Sequence, residues 1–158
     1  MAKVTLPIKI LITYVYDKIF ADNFSQCEQH AILVLISLAS VHSVGVSGCA
    51  DDATECTLKR NSNATITISF TPCEYQYYLS ITEVHGVIMN LPVPFPLPQP
   101  DACKGSGLTC PLKAGEQANY LTSLPVLKSY PKVKVDVKWE LRSDAGDVVC
   151  VMIPAKIH

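Results

Sequence analysis

A chain of 158 residues, half of them hydrophobic and only 17% charged, fits one domain with a core of useful size. The formal net charge of −1, with no basic patch of useful size, gives no footing for nucleic acid as a partner. Low charge and a mean hydropathy of +0.24 leave two options: a large core, or apolar surface that faces a cavity.

Near the N-terminus, two apolar runs have the length of a secretory h-region. One candidate signal extends from Met1 to Ala21, its apolar part around Ile8–Tyr16 interrupted by Lys9. The other is Ala31–Ala39, cleaner but preceded by a long, partly acidic stretch, which is unusual for a signal n-region. A cut after Ala21 keeps Cys27, and a cut after Ala39 discards it. Neither run is long enough to span a bilayer. Beyond residue 44 no repeat, charge run or linker occurs.

Val44–Ser47 reads as a short strand entering the first cysteine loop, and Leu58–Asn63 carries turn residues. Ala64–Thr71 alternates, with Ile66, Ile68 and Phe70 on one face and threonines and Ser69 on the other. Tyr77–Met89 is a longer β-rich run whose alternation slips near Glu83, the mark of a bulge. In residues 91–100 five prolines alternate with mostly apolar residues. Proline fixes φ and removes the backbone donor, which excludes helix and central strand and favours an extended, polyproline-like rod. Val93, Phe95 and Leu97 project from it. Gly115–Leu124 has some helical flavour, stopped by Pro125. From Pro131 to Arg142, Val133, Val135, Val137, Trp139 and Leu141 alternate with polar and charged residues, one face buried and one wet. Ser143–Asp147 supplies a turn and Val148–Ile153 a returning strand, so this region is a β-hairpin. About seven short strands with turns and cysteine staples predict an all-β, two-sheet antiparallel sandwich.

There are seven cysteines. Cys49/Cys56 and Cys103/Cys110 each enclose six residues, wider than the two to four of paired zinc ligands. Two small disulfide loops in a secreted domain is the better reading. The sequon Asn63-Ala64-Thr65 makes Asn63 a candidate glycosylation site on the same route. Long-range closure falls to Cys27 and Cys150, worth about 4–5 kcal/mol on chain entropy, with Cys73 left over. If processing removes Cys27, Cys73–Cys150 is the alternative pair.

No catalytic constellation, metal-ligand spacing or cofactor motif is present in the sequence. His30, His42, His85 and His158 are scattered. His85, beside Gly86 in a strand, reads as a hydrogen-bonded structural residue, and the acidic residues read as solvated faces and turns. The apolar residues are more telling. Tyr120, Leu124, Pro125, Val126 and Tyr130 form a second apolar segment after the proline run. The two segments, tied by Cys103–Cys110, are candidates for the rim of a cleft between the sheets. Lipid pockets are apolar, largely preformed and lined by aromatic side chains. Burial there gains about 25 cal/mol per Å², so no charged anchor is needed.

Val84-His85-Gly86-Val87-Ile88, Leu91-Pro-Val-Pro-Phe-Pro-Leu-Pro-Gln-Pro-Asp-Ala-Cys103 and Cys110-Pro-Leu resemble the ML lipid-recognition family, and within it the small soluble Niemann–Pick type C sterol carriers. Tyr120-Leu-x-x-Leu-Pro-Val126, Ser129-Tyr-Pro131, Val137-Lys-Trp139-Glu, Cys150 and Ile153-Pro154 continue the likeness in order, over residues 44 to about 154. The resemblance implies an immunoglobulin-like two-sheet antiparallel β-sandwich with a lipid pocket between its sheets. It places Phe95, Val126 and Tyr130 at the pocket mouth, and Tyr120, Leu124, Pro125, Trp139 and Val46 deeper. It also implies disulfides Cys49–Cys56, Cys103–Cys110 and Cys27–Cys150. Cys27-Glu-Gln-His30 is similar to the start of the mature domain in relatives, which sets residues 1–21 as the signal peptide and 22–158 as a single domain.

Three departures accompany the likeness. The Cys27–Cys49 interval is longer by the apolar run near Ala31–Ser40, both disulfide loops are slightly longer, and Val151 stands where many relatives carry an aromatic. The last departure is expected to widen the pocket. The implied function is a secreted or endolysosomal, monomeric carrier that binds and transfers a sterol without chemistry, handing it to a membrane receptor or transporter. Fatty-acid or semiochemical carriage is the alternative. Lipid presentation to an innate-immune receptor is a third, for which Lys104, Lys113, Lys128 and Lys132 would form a basic rim.

Overall fold

Alternating apolar and polar side chains become strands along the residues described by this computed structural model: 33–35, 39–72 and 78–158. In chain order these are β1 (Leu33–Leu35), β2 (Ala39–Val46), β3 (Cys56–Leu58), β4 (Ser62–Pro72), β5 (Leu79–Ile88), β6 (Leu91–Phe95), β7 (Ala118–Val126), β8 (Lys134–Ser143) and β9 (Gly146–Ile157). They form two sheets. One runs β1-β9-β8-β5-β6, with β3 added in parallel along β9; the other runs β2-β4-β7. The immunoglobulin-like β-sandwich is therefore observed, with nine strands among the described residues where about seven were expected.

The β8–β9 hairpin is the spine of the larger sheet. Its ladder extends from Lys134↔Lys156 to Ser143↔Gly146, and Gly146 at the turn takes a φ of 116°. Glycine adopts that conformation at little steric cost. Val135, Val137, Trp139 and Leu141 face inward and are buried, as alternation requires. From the smaller sheet, Ile66, Ile68, Phe70, Tyr120, Leu124 and Val126 meet them.

Several expectations need correction. Gly115–Leu124 holds no helix: Ala118–Val126 is the edge strand β7, paired with β4 from Ser62↔Val126 to Phe70↔Ala118. Tyr120, Leu124 and Val126 satisfy a two-residue period there, and an edge strand tolerates Pro125. The irregularity in β5 falls between Leu79 and Ile81 rather than at Glu83. Leu58–Asn63 is only partly turn, since it overlaps the ends of β3 and β4. The proline segment begins as a paired edge strand rather than a free rod. Leu91–Phe95 lies along β5, with Gly86↔Val93 and Val84↔Phe95 in register. In an antiparallel ladder, alternate residues bond to the neighbour. Pro92 and Pro94 thus point their donorless nitrogens outward, and β6 offers little to another strand.

Glu140 and Asp147 are buried, against the expectation of a solvated acidic face. On the outer side of the larger sheet, Glu140 meets Lys138 Nζ at 2.7 Å and His85 Nδ1 at 3.4 Å. Asp147 meets Arg142 Nε at 3.0 Å, and Arg142 also holds Glu83. Charge pairing is what permits this burial. It also accounts for His85 as a structural residue.

The disulfides Cys49–Cys56 and Cys103–Cys110 are both formed. The second braces a loop that shields the outer edge of β7, where Leu121 N–H donates to Ser106 O at 2.8 Å. Replacing Cys103 and Cys110 by serine is expected to cost roughly 2–3 kcal/mol on chain entropy for so short a loop. Urea unfolding would show it as a lower midpoint; an unchanged midpoint would assign the bridge no stabilising role. Cys150 is also disulfide-bonded, and its partner lies outside the described residues. The predicted signal segment 1–21, Cys27, His30 and Cys73 lie outside them too. The apolar run near Ala31–Ser40 contributes β1 and the first residues of β2.

Candidate functional site

One end of the sandwich carries an apolar cavity. Leu58 and Ile157 close one side of it, Val84, Gly86, Val135 and Val137 belong to the larger sheet, and Leu124 and Val126 come from β7. Phe95 and Tyr130 complete the wall, their rings edge-to-face with centroids 4.8 Å apart. The enclosed volume is about 20 Å³, little more than one water needs. Outside lies a wider apolar bowl of about 200 Å³, bounded by Ile88, Val93, Pro94, Pro96 and Pro131. Phe95, Tyr130, Gly86, Val135 and Ile157 border both spaces. The two rings therefore stand between bowl and cavity.

Local chemistry positions this pair. The β5–β6 turn, with Met89 and Asn90 at φ of 51° and 63°, brings β6 tightly back onto β5. Gly86 then leaves room for the Phe95 ring: a Cβ there would lie 3.7 Å from the ring and 3.1 Å from Val135 Cγ2. Tyr130 is held from behind, where Arg60 Nη1 donates to the carbonyls of Lys128 and Tyr130. Val93 is exposed at the bowl, Met89 and Leu91 are exposed in the turn and strand that lead to it, and Leu127 is exposed in the segment leading to Tyr130.

The structure thus brings Phe95, Leu124, Val126 and Tyr130 around one cavity. Tyr120 and Trp139 do not line it; they lie deeper in the sandwich, buried, with rings edge-on at 6.3 Å. Burial pushes the Tyr120 phenol above its ordinary pKa, partly countered by its hydrogen bond with the Thr82 hydroxyl. The phenol accordingly stays protonated at physiological pH. Val46 packs in the core of the smaller sheet opposite Ile66, and Pro125 pairs with Asn63; neither reaches the cavity. Val151 is buried opposite Trp139 and does not widen the cavity. Leu58, Val84, Gly86, Val135, Val137 and Ile157 are lining residues that were not assigned to the site from sequence. A lone glycine inside a strand, a sign of close approach, was the one local clue to Gly86.

Of the expected basic rim, Lys104 pairs with Asp101 at 3.2 Å and Lys113 with Glu116 at 3.7 Å. Lys128 and Lys132 alone flank Tyr130 in sequence. Glu83, His85 and Glu140 are close enough to share a cation, but Arg142 and Lys138 already hold the two carboxylates.

A two-sheet β-sandwich with an apolar, ring-gated cavity between its sheets defines a class of small proteins built to enclose hydrophobic molecules. The chain belongs to the ML domain family, whose model matches residues 21–157. It is 66% identical over 121 residues to the ecdysteroid-regulated 16 kDa protein of Manduca sexta, covering 77% of this chain and 83% of that one. It is 49% identical over 116 residues to the NPC intracellular cholesterol transporter 2 homolog a of Drosophila melanogaster, covering 73% and 78%. Among solved structures, a Niemann-Pick type C2 protein from Japanese carpenter ant matches with a TM-score of 0.71 at 31% identity, covering 77% of this chain and 93% of that one.

Proposed function

We propose that the protein carries a sterol, which it binds between its sheets and hands on without chemical change. The observation that carries this reading is the Phe95–Tyr130 ring pair, set between an apolar bowl and an apolar cavity. Such a gate suits a hydrophobic ligand, since each 100 Å² of apolar surface buried contributes roughly 2.5 kcal/mol. The cavity is nearly closed, so uptake parts the rings and dilates the space between the sheets. Relatives named as cholesterol transporters support the same reading. The exposed Met89, Leu91 and Val93 offer an apolar contact to a membrane protein that accepts the lipid.

The same reading makes the mature protein a monomer of the extracellular space or endolysosomal lumen. It starts after Ala21 and keeps Cys27, which pairs with Cys150. Asn63, exposed at the start of β4, accepts a glycan. Among the described residues, no helix is long and apolar enough to cross a membrane.

Native mass spectrometry of the protein secreted from lipid-fed cells, with displacement of a fluorescent sterol, tests the proposal. A bound mass matching a sterol, and displacement by added cholesterol, is the expected result. A protein that emerges without lipid and binds no sterol overturns it. The tightness of the cavity favours one second reading, carriage of a slim acyl chain, which a bound fatty-acid mass would establish instead.

A further inference from the structure

We propose that Arg60 is the latch of the gate, a positioning residue that sets how fast a ligand passes the Phe95–Tyr130 pair and not how tightly it is held. The inference rests on the reading that a sterol enters between those rings. The two rings are held unequally. Phe95 belongs to the β5–β6 ladder, in register with Val84. Tyr130 stands in the irregular stretch between β7, which ends at Val126, and β8, which starts at Lys134. A ladder residue moves only with its strand, so the half of the gate that parts is Tyr130. Leu127, Lys128 and Ser129 before it, and Pro131 and Lys132 after it, are exposed, so swinging this stretch outward uncovers little.

Backbone bonds anchor the two ends of the stretch. Asn61 N–H donates to Val126 O at 2.7 Å, and Ile157 N–H donates to Val133 O at 2.9 Å. Between these anchors, Tyr130 N–H donates to Leu127 O at 3.2 Å, a bond internal to the stretch. Among the described residues, the one donor that reaches it there from the rest of the fold is Arg60, whose Nη1 donates to Lys128 O at 3.1 Å and to Tyr130 O at 3.4 Å. The turn that presents Arg60 is fixed by Asn61 at a φ of 61° and by the Ser62 hydroxyl, which donates to Lys59 O at 2.6 Å. The guanidinium is half-buried, and among the described residues its Nε–H finds no acceptor and no carboxylate pairs with it. Its side-chain bonds there all go to the gate stretch. A charged donor makes a strong bond, but one nitrogen shared between two carbonyls, the second at 3.4 Å, can let go. Arg60 lines neither the cavity nor the bowl. The latch therefore makes the same bonds over an empty cavity as over a filled one. Losing them lowers the barrier to opening in both directions and leaves affinity nearly unchanged.

Stopped-flow release of dehydroergosterol from the full mature protein, chased with excess cholesterol on cyclodextrin, tests this beside the equilibrium affinity. Arg60→Met keeps the apolar stem and removes the donors. Its uptake and release rates are both expected to rise about tenfold, the worth of one well-made hydrogen bond, with Kd within about threefold of the unaltered protein. Arg60→Lys keeps the charge without the fork and is expected to release about threefold faster. Should Arg60→Met fail to fold, Arg60→Lys carries the test, and an unchanged release rate in it overturns the inference. Ser62→Ala, which loosens the same turn without touching the gate stretch, is the control and keeps both rates. Rates within about twofold of the unaltered protein in Arg60→Met overturn the inference while leaving the sterol reading intact. So does a weaker Kd from faster release alone, because Arg60 then shapes the bound state and not the barrier. An equal acceleration in Ser62→Ala overturns it as well, by assigning the effect to a looser turn. An unaltered protein that binds no dehydroergosterol overturns both readings.

Discussion

Val126→Phe is expected to abolish sterol binding, with affinity falling at least about a hundredfold, while the sandwich still folds. Val126 is 3% exposed and faces the cavity from β7, within reach of the Phe95–Tyr130 gate. Four more carbons than valine's side chain carries overfill a void of about 20 Å³ and occupy the path a ligand must take. Overfilling costs about 1–3 kcal/mol, which a domain with some 5–15 kcal/mol of stability withstands. Phe95→Ala is expected to lose binding by the opposite route, removing the ring that closes the cavity. Sterol titration with far-ultraviolet circular dichroism on the same samples separates lost binding from lost fold. Affinities within threefold of the unaltered protein in both variants would show that the ligand does not pass this gate.

How far the site was legible follows from the kind of signal each residue left. Val135, Val137 and Trp139 announced a buried strand face through strict alternation, and the hairpin to β9 followed from its turn. Phe95, Leu124, Val126 and Tyr130 came with the family resemblance, and the fold gathers them at one cavity. Leu58 and Ile157 left no comparable trace. They meet only because β3 docks in parallel on β9, Leu58 opposite Ile157, a pairing that no local period encodes.

Two misreadings have the same origin. Pro125 looked like a helix stop because proline ends helices and Tyr120 and Leu124 also stand four residues apart. Nine residues of register with β4 decide for strand, and that partner lies far away in sequence. Glu140 sits on the expected wet phase of β8, yet it is buried against Lys138 and His85. The alternation gave its face correctly, but alternation alone does not say whether a face is covered.

The second large effect is expected deeper in the interior, just behind the cavity. Trp139→Ala should destabilise the protein by about 3–5 kcal/mol, the range for deleting a large aromatic from a closed core. Trp139 is 0% exposed, stands opposite both Val84 and Val151 across the central ladder, and meets Tyr120 of the other sheet edge-on. Its loss removes a contact that joins the two sheets, and the surrounding strands can collapse only partly into the gap. Against a total near 10 kcal/mol, that leaves about 5–7 kcal/mol, the lower end of the ordinary range. Urea unfolding, followed by circular dichroism because the single tryptophan is gone, gives the value. A loss below about 1 kcal/mol would mean that the interior behind the cavity is already loosely filled. The contrast with Val126 is physical. The mouth borders space that a ligand must open, so enlarging a side chain there affects binding before folding. Trp139 lies where the sheets hold each other, and stability responds first.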